Sequence, residues 1–234
     1  MFFEQPIKID MHVHTQEGSP DSKLTAREIV HLYKDAGFGA IVITEHMWEH
    51  YPEMSMEERV AKLTSGYREA KDEGDKIGLK VFLGAETRLL RHGGEDFLVY
   101  GLEEENMEWL LRTLDSAQTL EELSNAVRVN GFFFAQAHPF RGSCRVAPAE
   151  LLDGVEAFNG KPRGVHNNHL AFDFAVENDL VMISGSDTHV AEDVAHGGLM
   201  IPADIETSAQ FCAWLKAGSM RSRVNFNRRV VCRL

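Results

Sequence analysis

The feature that most constrains the fold is a regular alternation of short apolar runs with longer amphipathic segments. The run 7–11 is followed by a segment that predicts a helix, in which Thr25 and Glu28 form a capping box and Gly37 ends the helix. The largely apolar run 40–44 comes next, as expected for a strand that is buried on both faces. This order predicts a strand–helix–strand unit with two parallel strands.

The same alternation of predicted strands and helices continues through the chain. Further strands are predicted at 79–83, 97–100, 132–137, 155–158, 180–184 and 199–201. Further helices are predicted at 56–77, 107–129 (in two pieces, broken near Ser116), 166–178 and 207–217. About seven strands in 234 residues predict an α/β fold whose parallel sheet closes, or nearly closes, into a barrel within one domain, 1–234. An open doubly wound sheet is the alternative, although no Gly-x-Gly-x-x-Gly follows the first strand.

Composition excludes several classes of function. The formal net charge of −12 argues against an extended nucleic-acid surface. No apolar run reaches the roughly 18 residues of a membrane span, and the N-terminus lacks the basic and apolar regions of a signal peptide. The cysteines Cys144, Cys212 and Cys232 form no Cys-x-x-Cys pair, which predicts free thiols and a cytoplasmic protein. The oligomeric state stays open.

Polar side chains recur where the predicted strands end. His12 and His14 are two residues apart, so their side chains point to the same side of a strand. The later strand ends carry His46, Glu86, His138, Asp187 and His189. In a β/α barrel the functional residues lie at the carboxyl ends of the strands. Nitrogen and oxygen ligands without a thiolate predict a site for Mn, Zn or Fe.

These strand ends resemble the motifs of the PHP (polymerase and histidinol phosphatase) superfamily. The matching segments, in chain order, are Asp10-Met11-His12-Val13-His14, Thr44-Glu45-His46, Gly84-Ala85-Glu86, Ala137-His138-Pro139 and Ser186-Asp187-Thr188-His189. The resemblance covers residues 7 to about 215. It implies a distorted seven-stranded TIM-like barrel with two or three divalent metal ions.

The resemblance also implies which residues hold the metals. The first metal would be held by His12, His14, Glu86 and Asp187. Glu86 would bridge to a second metal, shared with His138. A third would be held by His46, His189 and an acid from the first loop. Arg141 would bind a phosphate oxygen, and Asn159 matches a polar position that lines the substrate pocket.

The sequence departs from the family pattern at three positions. Glu45 stands where the family has Asp, and we expect its side chain to orient His46. The first loop is one residue longer, which makes Asp21 the candidate ligand and Glu17 its substitute. Phe97 stands where many members carry a metal-binding His. His92 is the candidate replacement, and a two-metal site is a second possibility.

Three functions are open at this stage. The first is hydrolysis of a phosphate mono- or diester of a small molecule or nucleotide by a hydroxide that bridges two metals, with Arg141 neutralising charge on the phosphoryl oxygens. In this scheme His189 is a candidate proton shuttle as well as a ligand. The second is cleavage of a C–N bond, as in amidohydrolase barrels that share the His-x-His pair. The third is a non-catalytic, metal-stabilised accessory barrel.

Overall fold

The computed structural model describes residues 5–48, 53–89, 93–142 and 144–218. Within these ranges the chain forms nine strands and six α-helices. The strands are β1 (Ile7–Val13), β2 (Ala40–Ile43), β3 (His46–Trp48), β4 (Lys80–Arg88), β5 (Asp96–Leu102), β6 (Phe133–Gln136), β7 (Gly154–Asn159), β8 (Val181–Gly185) and β9 (Leu199–Ile201). The helices are α1 (Ala26–Asp35), α2 (Met56–Ile77), α3 (Met107–Ser116), α4 (Leu120–Val129), α5 (Asn168–Glu177) and α6 (Ser208–Lys216).

Seven of the strands form the wall of a nearly closed barrel. Their order is β8-β7-β6-β5-β4-β2-β1, with β9 beside β1 and β3 paired to β4. The two ends of the wall meet where Val13 forms a parallel bridge with Thr188. At this seam the backbone N–H of His14 donates to Thr188 O at 3.1 Å. The predicted TIM-like barrel of seven strands is confirmed.

The predicted parallel sheet is parallel only in part. β5 is antiparallel to both β4 and β6, and β9 is antiparallel to β1. A parallel return needs a crossover of a dozen or more residues, whereas the connection 89–95 between β4 and β5 is far shorter. β4 also runs on to Arg88, beyond the predicted 79–83, so Glu86 lies inside a strand rather than after one.

Two apolar cores flank the wall. Inside the barrel, Leu98 and Tyr100 of β5 pack with residues of the other strands and with Phe211 of α6. Outside, Phe97 and Val99 of the same strand pack in the layer that contains α1 to α5. This alternation places every second side chain of β5 in the barrel interior. No described helix is long and apolar enough to span a membrane.

Candidate metal centre

His12 and His14 lie at the carboxyl end of β1, and both side chains are fully buried. The register of β1 against β2 shifts between Asp10 and Val13, which is the segment that carries His12. The Nε2 atoms of His12 and His14 lie 3.4 Å and 3.3 Å from Oε2 of Glu86 on β4. The two imidazoles therefore converge on one carboxylate.

Four buried atoms at this point make no hydrogen bond to any residue of the structure. They are Nε2 of His12, Nε2 of His14, Nδ1 of His46 and Oε2 of Glu86. All three nitrogens lie within 3.4 Å of that single oxygen. Buried polar atoms without a well-formed hydrogen bond are costly, and a divalent cation would engage these lone pairs together. The donor set therefore fits a metal ion.

Asp187 and His138 complete the surroundings of Glu86. Oδ1 of Asp187 lies 3.9 Å from Nε2 of His12 and 3.6 Å from Nε2 of His14. Nε2 of His138 lies 3.1 Å from the other Glu86 oxygen, Oε1. Both residues have positive φ, 51° at Asp187 and 27° at His138. Such strained conformations of non-glycine residues concentrate at functional sites. The two oxygens of Glu86 therefore face different histidines, and the bridging of two ions by this carboxylate stays a prediction.

A second group of ligands lies at the rim. Oδ2 of Asp21 is 3.3 Å from Nε2 of both His46 and His189, and these two nitrogens are 3.3 Å apart. The imidazole of His14 lies beside both rings, with centroid distances of 4.2 Å and 4.4 Å. The structure therefore brings into one cluster the residues His12, His14, Asp21, His46, Glu86, His138, Asp187 and His189, and metal binding by them stays a prediction.

The candidates for the acid in the first loop occupy different places. Asp21 faces His46 and His189, as described above. Glu17 instead accepts hydrogen bonds from the backbone N–H of Ala26, at the start of α1. His92 lies outside the described residues. The geometry therefore favours Asp21 over Glu17.

The clustered charges displace the pKa values of the ligands. Burial raises the pKa of Glu86, but His12 and His46 outweigh it and hold that pKa well below its usual value. Burial lowers the pKa of His46, but Glu86 and Asp21 raise it to about 10. The pKa of His14 falls well below its usual value, first through burial and then through His46 and His189. These shifts keep Glu86 ionised and His14 neutral, the forms that bind a metal, whereas His46 holds a proton that a metal must displace.

Sequence reasoning missed Glu156, which is buried on β7. Its Oε1 lies 3.0 Å from Nδ1 of His12, which leaves Nε2 of that ring facing Glu86. Its Oε2 accepts from the backbone N–H of His138 and from Nδ2 of Asn159, both at 2.9 Å. A carboxylate behind a ligand histidine fixes the ring's tautomer and orientation. Side chains alternate between the two faces of β7, and Glu156 occupies a position that faces the barrel interior. This alternation is the sequence signal that could have identified it.

Asn159 was predicted to line the substrate pocket, and both polar atoms of its side-chain amide make hydrogen bonds within the protein. Nδ2 donates to Glu156, and Oδ1 accepts from the backbone N–H of Lys161 at 3.1 Å. Asn159 is itself buried. These contacts stiffen the end of β7, and a direct contact with substrate stays a prediction.

Glu45 does not orient the imidazole of His46, contrary to expectation. Its carboxylate accepts from the hydroxyls of Thr15 and Ser19, both at 2.5 Å, and so fixes the first loop. Ser19 Oγ in turn accepts from the backbone N–H of His46 at 3.0 Å. Gly66 on α2 leaves room for the longer Glu side chain, because a Cβ there would lie 2.7 Å from Oε1 of Glu45.

Phe97 stands outside the site because its ring faces the helical layer and stacks on Phe134 at 5.0 Å. The inward residue is its neighbour Asp96, which is buried. Oδ2 of Asp96 lies 3.8 Å from Nε2 of His138, and its carboxylate receives two hydrogen bonds from Arg88 at 2.5 Å and 2.8 Å. Asp96 thus lies beside His138, on the side of the cluster for which His92 was the candidate ligand named from the sequence.

Two cations flank Asp187. Arg141, which was predicted, donates from Nη1 to Oδ2 at 2.8 Å. Lys161, which was not predicted, places Nζ 3.1 Å from Oδ1 and 3.0 Å from Nδ1 of His189. A lysine after a predicted strand carries no motif of its own, so only the fold reveals its position.

Comparison with protein families matches residues 10–180 to the "PHP domain" model. Residues 165–220 match a second model, described as "PHP-associated". Comparison with functionally curated proteins gave no match. The first match spans well over half of the chain and contains all the ligand candidates up to His138.

Solved structures share the fold at low sequence identity. PsfC from Pseudomonas syringae has a TM-score of 0.62 at 19% identity, covering 89% of this chain and 88% of its own. An amidohydrolase from Chromobacterium violaceum, with bound sulfate and no metal, has a TM-score of 0.58 at 16% identity, covering 83% and 92%. A two-domain protein from Bacteroides vulgatus, which contains a predicted PHP-like metal-dependent phosphoesterase, has a TM-score of 0.55 at 20% identity, covering 81% and 54%.

Proposed function

The chain belongs to the PHP domain family, and on that premise we propose that it is a metal-dependent hydrolase that cleaves a phosphate ester of a small molecule or nucleotide. The observation that carries the proposal is the convergence of three buried imidazole nitrogens, none of which has a well-formed hydrogen bond, on Oε2 of Glu86. We further propose that residues 1–234 act as one PHP-like domain.

The ligand assignment follows the geometry. His12, His14, Glu86 and Asp187 would hold one ion, and Glu86 with His138 a second. The triangle of Asp21, His46 and His189 would hold a third. Divalent ions in such a site supply Lewis-acid stabilisation of a phosphoryl group and an activated water at neutral pH. Mn, Zn and Fe all suit this set of nitrogen and oxygen ligands.

The protein's own residues orient the reacting groups. Glu156 fixes the ring of His12 through Nδ1. Arg141 is one-third exposed, with its guanidinium beside Asp187, so it can bind phosphoryl oxygens at the mouth. His189 is a candidate for passing a proton to the leaving group, because its ring lies at the rim between Asp21 and Lys161.

The test is a phosphate-ester panel on metal-stripped protein reloaded with Mn²⁺, Zn²⁺ or Fe²⁺. We expect p-nitrophenyl phosphate or a nucleotide to be hydrolysed only after reloading. Glu86→Gln should lower kcat by about a hundredfold or more, because it removes the bridging charge. His169→Ala is the matched control, since His169 is exposed on α5. Full activity of Glu86→Gln would overturn the ligand assignment.

Cleavage of a C–N bond is the second candidate, because the similar fold from Chromobacterium violaceum is an amidohydrolase. A cyclic amide assayed beside the phosphate esters separates the two. Turnover of the amide alone would establish the second candidate. If the metal-loaded protein turns over neither class yet binds a partner, it is an accessory barrel.

A further inference from the structure

Lys161 is a largely buried cation at a site built to hold cations. Its side chain is 15% exposed, and Nζ is directed at Asp187 and His189, two of the proposed metal ligands. Arg141 approaches the same carboxylate from its other oxygen. A positive charge placed this close to divalent ions is repelled by them, and the carboxylate that lies between, Asp187, is shared with Arg141 and with the proposed first metal. One carboxylate does not balance these cations, so a further anion beside Lys161 is favoured.

The fold holds both cations in place. Lys161 follows β7 in a loop whose backbone is fixed by His166, because Nε2 of that ring lies 3.0 Å from Lys161 O. In the same loop Asn167 donates from Nδ2 to Phe140 O at 2.9 Å, which ties it to the loop that carries Arg141. The separation of the two cations is therefore set by the structure. Such preorganisation reduces the entropy lost when a ligand binds.

Charge counting identifies the kind of ligand that fits. Two divalent ions together with Arg141 and Lys161 would carry six positive charges. Asp96 is left out of the count because Arg88 balances its charge. The other nearby carboxylates carry four negative charges; they are Asp21, Glu86, Asp187 and Glu156. The excess is two positive charges; a third metal would enlarge it, and a metal-bound hydroxide would reduce it by one. In each case the site carries excess positive charge, which attracts a phosphate monoester dianion more strongly than a singly charged diester.

We propose that Lys161 is a substrate-binding and specificity-determining residue, which with Arg141 holds the terminal phosphate oxygens and makes the site selective for phosphate monoesters over diesters. This inference rests on the proposed function of the same site. Lys161 binds the substrate's charge rather than the metals. Its removal therefore weakens anion binding and leaves the metal content intact.

The first test measures binding and needs no turnover. Inorganic phosphate is titrated calorimetrically into Mn²⁺-loaded full-length protein. We expect Lys161→Met to bind phosphate about tenfold more weakly or worse, because it loses a charge-assisted hydrogen bond. Lys161→Arg keeps the charge and should stay within about threefold of the parent. Lys71→Met is the matched control, since Lys71 pairs with Asp75 on the surface of α2.

Elemental analysis of each variant accompanies the titration. Unchanged metal content in Lys161→Met, together with weaker phosphate binding, supports the inference. Unchanged phosphate affinity in Lys161→Met overturns it, and so does a parent protein that binds no phosphate. If Lys161→Met loses metal as well, Lys161 acts on the ligands and the inference is wrong.

The second test measures selectivity. The ratio of kcat/KM for p-nitrophenyl phosphate to that for bis(p-nitrophenyl) phosphate should favour the monoester in the parent. It should fall about tenfold in Lys161→Met, through the monoester value alone. An unchanged ratio contradicts selectivity by Lys161. Absence of turnover on both esters, with phosphate binding that still depends on Lys161, would refute the proposed function and leave the anion site standing.

Discussion

At the scale of single residues, Glu156 is the most informative side chain outside the ligand set. Glu156→Gln keeps the size of the side chain but removes the charge that accepts from Nδ1 of His12. We expect metal affinity to fall about 10- to 100-fold, as it does when partners of ligand histidines are changed elsewhere. A competition titration with a metal-binding dye measures the change. Glu177→Gln, exposed on α5, is the control, and equal affinities in the two variants would contradict the role of Glu156.

His46 gives metal binding a pH dependence. Burial alone lowers its pKa, but Glu86 and Asp21 raise it to about 10, so the metal-free protein carries a proton there at neutral pH. A metal must displace that proton, and the pKa values of His12 and His138 are raised as well, so affinity should rise with pH by about tenfold per unit for each proton displaced. Titrations at pH 6.5, 7.5 and 8.5 measure the slope. A flat profile would contradict metal binding by these histidines.

At the scale of elements, α2 depends on a close approach to the first loop. Alanine at an open helical position stabilises by about 0.5–1 kcal/mol relative to glycine. At Gly66, however, a Cβ would lie 2.0 Å from Oγ1 of Thr15. We expect Gly66→Ala to lower the free energy of unfolding by about 1–3 kcal/mol, because Thr15 and its partner Glu45 must move. Denaturant unfolding beside Asp72→Ala, an exposed change on the same helix, tests this, and equal or higher stability of Gly66→Ala would be the contrary result.

The elements also show what a sequence can and cannot predict here. Buried β2 and the capped α1 follow from local patterns, since apolar runs and the Thr25 capping box act within a few residues. The antiparallel β5 was missed because strand direction depends on which neighbour the strand pairs with. The roles of Glu156, Asp96 and Lys161 were missed for the same reason, since each becomes visible only through contacts with residues distant in sequence.

At the scale of the whole molecule, the candidate ligands come from β1 and the loop after it, from β3 and β4, and from the segments that follow β6 and β8, so they meet only when the barrel is closed. Metal binding should therefore stabilise the folded chain over the unfolded one. At a free metal concentration of 100 times Kd, we expect a gain of about 2.7 kcal/mol. Removing the metal should lower Tm by about 5–10 °C. Calorimetry with and without chelator measures the shift, and identical melting curves would count against a site that needs the closed barrel.

The central claim is that the buried histidines and carboxylates around Glu86 hold divalent metals. Anomalous diffraction from crystals of Mn²⁺-loaded protein tests it most directly. We predict at least two anomalous peaks, one within about 2.5 Å of ligand atoms of His12, His14 and Glu86, and another beside His138 or in the triangle of Asp21, His46 and His189. Crystals that show no peak within bonding distance of Glu86 would contradict the account.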